Sequence, residues 1–222
     1  NLIIRNERLH FKYGISSSAF YSNLVISHGK GVHLYDIDGN EYVDLFAGAG
    51  IAALGHSHSK FIDGLKEQLD QLIVGSYTTR TRSQYVESLF KLLPKELNQI
   101  SFFSAGTESN EAALKLARNY TKKQQVISFW GGYHGRTAGV LALSDPSYAD
   151  PTVGIIPGTI RVPYPDNYRK LVELDEASYL AWIIDFIKKS LDRNSVDGVA
   201  AIIVEPIQGT AGNIIPVKGF LK

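Results

Sequence analysis

Between Gly31 and Leu45, two short apolar-rich runs, 32–37 and 41–45, flank the turn dipeptide Asp38-Gly39, and this spacing predicts a β-hairpin. A run with little side chain, residues 47–50, follows and leads to Gly55-His-Ser-His58. Phe61, Ile62, Leu65, Leu69, Leu72 and Ile73 then recur at helical spacing, which predicts a helix over about 59–73. Tyr85, Val86, Leu89, Phe90 and Leu93 predict a second helix, stopped by Pro94.

Beyond Pro94 the pattern alternates. A short apolar run at 100–103 reads as a strand and opens into an Ala-rich helix from Thr107 to about Tyr120, with Ala112, Ala113, Leu116, Ala117 and Tyr120 expected on its buried face. Residues 126–129 read as a strand, followed by the glycine-flanked loop 130–137 and a proline-punctuated stretch from Asp145 to about Asn167. Tyr179, Leu180, Ile183, Ile184, Ile187 and Leu191 form one amphipathic helical face, and 199–204 reads as a buried strand. Strands separated by helices predict an α/β sheet that is at least partly parallel. In such sheets ligands sit beyond the carboxyl ends of strands. Loops carrying Gly106, Tyr133 and Glu205 each follow a predicted strand, so one shared site is expected. The chain shows no internal repeat and no low-complexity tract.

Composition narrows the class only modestly. The 222 residues carry 44% hydrophobic and 20% charged side chains, as an ordinary globular protein does. Lys and Arg number 23 against 22 Asp and Glu, so the net charge of +1 gives no electrostatic case for nucleic acid or an anionic membrane. The absence of cysteine excludes disulfides, zinc–thiolate sites and a cysteine nucleophile. With no long apolar run and no signal-like N-terminus, a cytoplasmic location is the expectation. The chain begins at Asn1 and contains no Met, which reads as a piece of a longer protein.

The candidate chemistry sits in the loops. Around Gly106 and Thr107, the first turn of a helix offers backbone N–H groups without internal partners and partial positive charge, and Thr107 adds a hydroxyl. That is a cup for an anionic group. Neither the triphosphate-binding nor the dinucleotide-binding glycine pattern is present. In the next loop Tyr133 can stack on a flat ligand and Arg136 can hold a carboxylate, or Tyr133 packs over its own loop and Arg136 pairs with a surface acid. Glu205, at the end of a buried run, needs a partner: an arginine such as Arg136, a ligand amine or a backbone donor. His56 and His58, two residues apart with no acidic cluster, read as loop or capping residues, and no metal site is expected. Ser144-Asp145 lacks the context of a nucleophile elbow.

Taken as an ordered set, several motifs resemble the class III aminotransferases, pyridoxal-phosphate-dependent enzymes of fold type I. They are Gly31-Val-His-Leu-Tyr-Asp-Ile-Asp-Gly-Asn-Glu-Tyr-Val-Asp44, Leu54-Gly-His56, Ser104-Ala-Gly-Thr-Glu-Ser-Asn-Glu-Ala-Ala113, Gly132-Tyr-His-Gly-Arg-Thr137, Val162-Pro-Tyr-Pro165 and Glu205-Pro-Ile-Gln-Gly209. The resemblance implies an α/β large domain with a mixed, mostly parallel sheet, preceded by a segment of a small domain. Residues 1–58 would contribute the hairpin and an active-site loop to the small domain, and 59–222 the first part of the large domain. By the same resemblance Gly106 and Thr107 hold the cofactor phosphate, and Tyr133 lies on the pyridine ring with His134 beside it. Arg136 receives a substrate carboxylate, and Glu205 stands near the cofactor and that arginine.

The implied activity moves an amino group from an amino acid or amine donor to a keto-acid acceptor, in a homodimer with sites at the subunit interface. Two departures from the family pattern are visible. Lys218 and Lys222 follow the Glu205 motif too closely to be the lysine that family members join to the cofactor, so no catalytic residue is assigned here and residues 1–222 alone are expected to be inactive. Thr210 stands where some members carry a glutamate, which departs from the 4-aminobutyrate and ornithine pattern. The alternatives are a racemase, epimerase or aminomutase built on the same cup, or a non-catalytic half acting as a binding or assembly segment.

Overall fold

The computed structural model describes residues 2–10, 24–148 and 156–222. Part of the proline-rich stretch, 149–155, therefore lies outside the described residues. Contacts divide the chain into two compact units, residues 1–98 and 99–222.

The first unit holds α1 (Leu2–His10), a three-stranded antiparallel sheet of β1 (Ile26–Lys30), β2 (His33–Asp36) and β3 (Glu41–Val43), then α2 (Ser59–Gln71) and α3 (Arg80–Phe90). The expected hairpin is β2–β3, closed by Asp38-Gly39 with Gly39 at φ +86°. Its organiser is Asp36, buried at 6% exposure. One carboxylate oxygen accepts the N–H groups of Asp38 and Asn40, and the other accepts the Asn40 amide and the Tyr42 hydroxyl, all at 2.9 Å. The Asn40 side-chain bond and the other donors outweigh burial and hold the Asp36 carboxyl at about 2.

Beyond the hairpin, β1 lacks the apolar alternation that announces a strand. It is added by cross-strand contacts, including the His28 ring stacked 4.7 Å from the Tyr35 ring. His56 exchanges both backbone hydrogen bonds with Gly31, and its Nε2 lies 2.7 Å from Asp44 Oδ2. Between these two residues Ala47, Gly48, Ala49 and Gly50 all carry left-handed φ values of 50°, 59°, 59° and 91°. The two expected helices are present as α2 and α3, but Phe61, Leu65, Leu69 and Tyr85 are 48–63% exposed.

The second unit is a small α/β layer. It contains α4 (Gly106–Thr121), β4 (Val126–Phe129), α5 (Ala138–Leu141), a 3-10 turn (Pro146–Tyr148), β5 (Thr159–Val162), α6 (Glu176–Asn194) and β6 (Ala201–Ile202). Its strands run parallel in the order β5-β4-β6. All four residues of β4 are buried. Ile127 and Phe129 join Ile160, Val162, Tyr164, Tyr179, Ile183 and Ile187 in one core, while Val126 joins Leu114, Val140 and Leu143 in the other. Asp175 caps α6 by accepting from the N–H groups of Ala177 and Ser178 at 3.1 Å.

Three sequence expectations change here. Residues 100–103 form no strand, because no described strand pairs with them, and Ile100, Phe102 and Phe103 are 37–49% exposed. The strand expected over 199–204 shrinks to β6, since it pairs on one side with β4, through Ala200 N–H to Gln125 and Ile203 N–H to Ile127 at its margins. The buried face of α4 runs through Thr107, Asn110, Glu111, Leu114 and Ala117, whereas Leu116 and Tyr120 are 70% and 87% exposed. Among the described residues no helix is long and apolar enough to cross a membrane.

Asp36 titrates at about 2 in the folded chain against an ordinary 3.8. A depressed carboxyl stabilises the fold above its unfolded value, so its contribution is complete above about pH 4 and is lost as the pH falls toward 2. Amide exchange at Asp38 and Asn40 is expected to accelerate over that window, and Asp36→Ala is expected to give fast exchange at neutral pH as well.

Candidate active site

The loop leaving β4 is held almost entirely by side chains acting on its backbone. Trp130 C=O accepts from Gln208 Nε2 at 2.9 Å, and Gly131 N–H donates to Asp145 Oδ2 at 2.8 Å. Tyr133 N–H donates to Glu205 Oε1 at 2.7 Å, and His134 N–H to Ser144 Oγ at 2.9 Å. The His134 carbonyl accepts from Asn110 Nδ2 at 2.8 Å. Five side chains from three segments thus fix four of the five residues 130–134, an arrangement that holds side chains in place before any ligand arrives.

α4 locks onto the same loop. A β-carbon at Gly135, where φ is +132°, would lie 2.6 Å from Thr107 Oγ1 and 2.8 Å from Val140 Cγ2. Only glycine lets the loop come this close to the first turn of the helix. One turn on, Glu111 Oε1 accepts from the Thr137 hydroxyl at 2.5 Å and from the N–H groups of Gly139 and Val140 at 3.1 and 3.2 Å. Its carboxylate lies where a β-carbon on Gly139 would collide with it. At the start of α4, Glu108 Oε2 reaches back to accept from Ser104 N–H at 2.9 Å, and the first-turn N–H groups have no side-chain cap. Ala105 stands at the N-cap, and a β-carbon at Gly106 would meet nothing within 4 Å.

Burial sets the direction of the shifts around the loop, and Glu205 is a charge common to three of them. Burial pushes the Tyr164 hydroxyl up to about 12, helped by the Glu205 and Asp166 carboxylates. That hydroxyl donates to the backbone carbonyls of Glu205 and Pro206 at 3.1 and 3.2 Å. Tyr148, whose ring meets Tyr133 edge-on at 5.2 Å, is pushed up by burial and then by Asp145 and Glu205. His134 is 6% exposed, and burial pushes its imidazole below the usual value against the pull of Glu205. Burial also opposes the Asp145 charge, but hydrogen bonds from Gly131 and Ser147 hold that carboxyl low.

Tyr133, His134 and Glu205 therefore fall in one cluster against which Thr107 packs through Gly135, with Gly106 at the start of α4 beside it. The partner that Glu205 required is met by a backbone donor. Arg136 is exposed at the margin of the same loop. Sequence reasoning missed Asn110, Glu111, Ser144, Asp145 and Gln208. Asn110 and Glu111 were readable, since they lie three and four residues beyond Thr107 and so share its helix face. Ser144 and Asp145 were weighed only as a nucleophile pair, whereas they act as backbone acceptors.

A parallel sheet with a glycine-tied loop and an uncapped helix start is an architecture of ligand-binding α/β enzymes. The chain belongs to the class-III aminotransferases, whose sequence pattern matches residues 16–222, and its fold is the fold type I arrangement, here in part. It is 38% identical over 197 residues to the acetylornithine aminotransferase of Methanopyrus kandleri, covering 87% of this chain and 45% of that one. It is 36% identical over 219 residues to the isoleucine 2-epimerase of Lentilactobacillus buchneri, covering 95% and 48%. A thermostable (S)-enantioselective omega-transaminase from Thermomicrobium roseum superposes with a TM-score of 0.87 at 26% identity, over 99% of this chain and 52% of that one. The chain spans about half the length of the curated relatives it matches.

Gly135→Ala is expected to destabilise the protein by about 1–3 kcal/mol, the cost of overpacking a filled site. Gly209, where a β-carbon meets nothing within 4 Å, serves as the control. Gly209→Ala is expected to stay within about 0.5 kcal/mol. Denaturant midpoints measure both, and equal midpoints would contradict the packing account.

Proposed function

We propose that the chain carries the phosphate- and ring-binding part of a pyridoxal 5'-phosphate-dependent aminotransferase. The whole protein moves an amino group from an amino acid or amine donor to a keto-acid acceptor, as a cytoplasmic homodimer. Residues 1–58 serve the small domain and 59–222 the large one. The reacting lysine is outside residues 1–222, which do not transaminate alone.

One observation carries this reading. The seating of Thr107 on Gly135 makes the uncapped start of α4 and the Tyr133 loop a single piece. An anionic group at α4 and a flat ring at Tyr133 are the two ends of pyridoxal phosphate. The residues fit the group: the first-turn N–H groups and the Thr107 hydroxyl would hold the phosphate, and the space over Gly106 lets it approach. Tyr133 would lie on the ring, beside a His134 that burial keeps neutral near pH 7. Glu205 fixes Tyr133 through its backbone, and Arg136 receives the substrate carboxylate. When bound, the cofactor supplies an electron sink for the bond cleaved in the amino donor.

The test compares pyridoxal phosphate with pyridoxal. Thr107→Val keeps the shape packed on Gly135 and removes the hydroxyl. It is expected to weaken pyridoxal phosphate binding about tenfold, the size of one charge-assisted hydrogen bond, and to leave pyridoxal binding unchanged. Equal effects on both would remove the phosphate from α4. The 36% identity to an isoleucine 2-epimerase supports a second reading, racemisation at the same site. Inversion of the donor without keto-acid release would select it.

A further inference from the structure

Arg136 is flanked by residues that α4 holds on both sides. Before it, the His134 carbonyl accepts from Asn110 and Gly135 is wedged against Thr107. After it, the Thr137 hydroxyl and the N–H groups of Gly139 and Val140 all converge on Glu111 Oε1. The backbone entering and leaving Arg136 is therefore set by three residues on one face of one helix. Those residues lie within about 6 Å of rise along the axis, from Thr107 to Glu111.

We infer that Asn110 and Glu111 are positioning residues for carboxylate recognition. By fixing the backbone on either side of Arg136, they hold its guanidinium at a set distance from the anion cup at the start of α4. The helix acts as a ruler between the cofactor's phosphate and the substrate's carboxylate, and so selects the carboxylate-bearing substrates by reach. Neither side chain touches substrate. The inference rests on the reading of Arg136 as the carboxylate receiver.

The geometry dictates the variants. Glu111→Gln keeps an acceptor oxygen for the three donors, whereas Glu111→Met keeps length without the acceptor. Asn110→Leu keeps the shape and removes the donor to His134. Thr137→Val removes one bond to Glu111 from an exposed residue, and keeps the test open should Glu111→Met fail to fold. Succinate, an unreactive dicarboxylate, is titrated into the full-length holoenzyme by calorimetry, alongside pyridoxal phosphate into the apoenzyme.

Glu111→Met and Asn110→Leu are expected to weaken succinate about tenfold, as when a guanidinium loses one charge-assisted hydrogen bond. Thr137→Val weakens it less, Glu111→Gln restores it, and pyridoxal phosphate affinity stays unchanged in the Glu111 and Thr137 variants, whose bonds lie on the far side of Arg136 from Tyr133 and His134. With carboxylate-bearing donors KM rises about tenfold in the same two variants, while donors lacking a carboxylate keep theirs. If Arg136→Lys weakens succinate but Asn110→Leu and Thr137→Val do not, the positioning role is overturned and the reading of Arg136 survives. If Arg136→Lys also leaves succinate unchanged, the reading of Arg136 falls and takes the inference with it.

Discussion

β4 is buried along its whole length. Val126 packs into one apolar core and Ile127 and Phe129 into the other, while the β4 backbone pairs with β5 along all four residues and with β6 at Val126 and Ile127. Backbone polar groups and apolar side chains are satisfied together, which is the condition for a strand at the centre of a parallel sheet. Everything that follows in the second unit takes its position from this strand. The loop that leaves Phe129 starts from a point that cannot drift, and the side chains that seize it come from elements packed on the same strand.

Glu205 then gives that fixed loop its electrical character. It emerges where β6 ends, and it meets Tyr133 as a backbone acceptor and Tyr164, Tyr148 and His134 as a nearby negative charge. Burial already disfavours charge on all three rings, and the carboxylate reinforces this for the two tyrosines. Around neutral pH the two phenols keep their protons while the imidazole lacks its charge. The site thus offers neutral aromatic surface beside the Glu205 and Asp145 carboxyl groups.

Local patterning made much of this legible. The Asp38-Gly39 turn, the β4 run and the α6 stripe are each dictated by residues adjacent in sequence, and each element formed where the pattern placed it. The strand expected at 100–103 failed because a strand is a relation to a partner, and apolar residues alone do not supply one. The face of α4 was misjudged for a related reason. Leu116 and Tyr120 are exposed, whereas Leu114 packs with Val126 and the same face carries Asn110 and Glu111, whose polar groups find backbone partners at His134 and at the start of α5. Residue type at Gly106, Thr107, Tyr133 and Glu205 marked the candidate site, whereas the residues that brace it act on main-chain atoms and leave no chemical signature in the sequence.

The four consecutive left-handed residues at 47–50 have a consequence for what this chain can become. A β-carbon in that conformation is tolerated at Ala47 and Ala49 at a cost, and a branched or bulky side chain raises that cost steeply. Substitution there is confined to a narrow alphabet, whatever the neighbouring segments gain. The shape of this stretch is written in what its side chains lack, and sequence drift has little room to rewrite it.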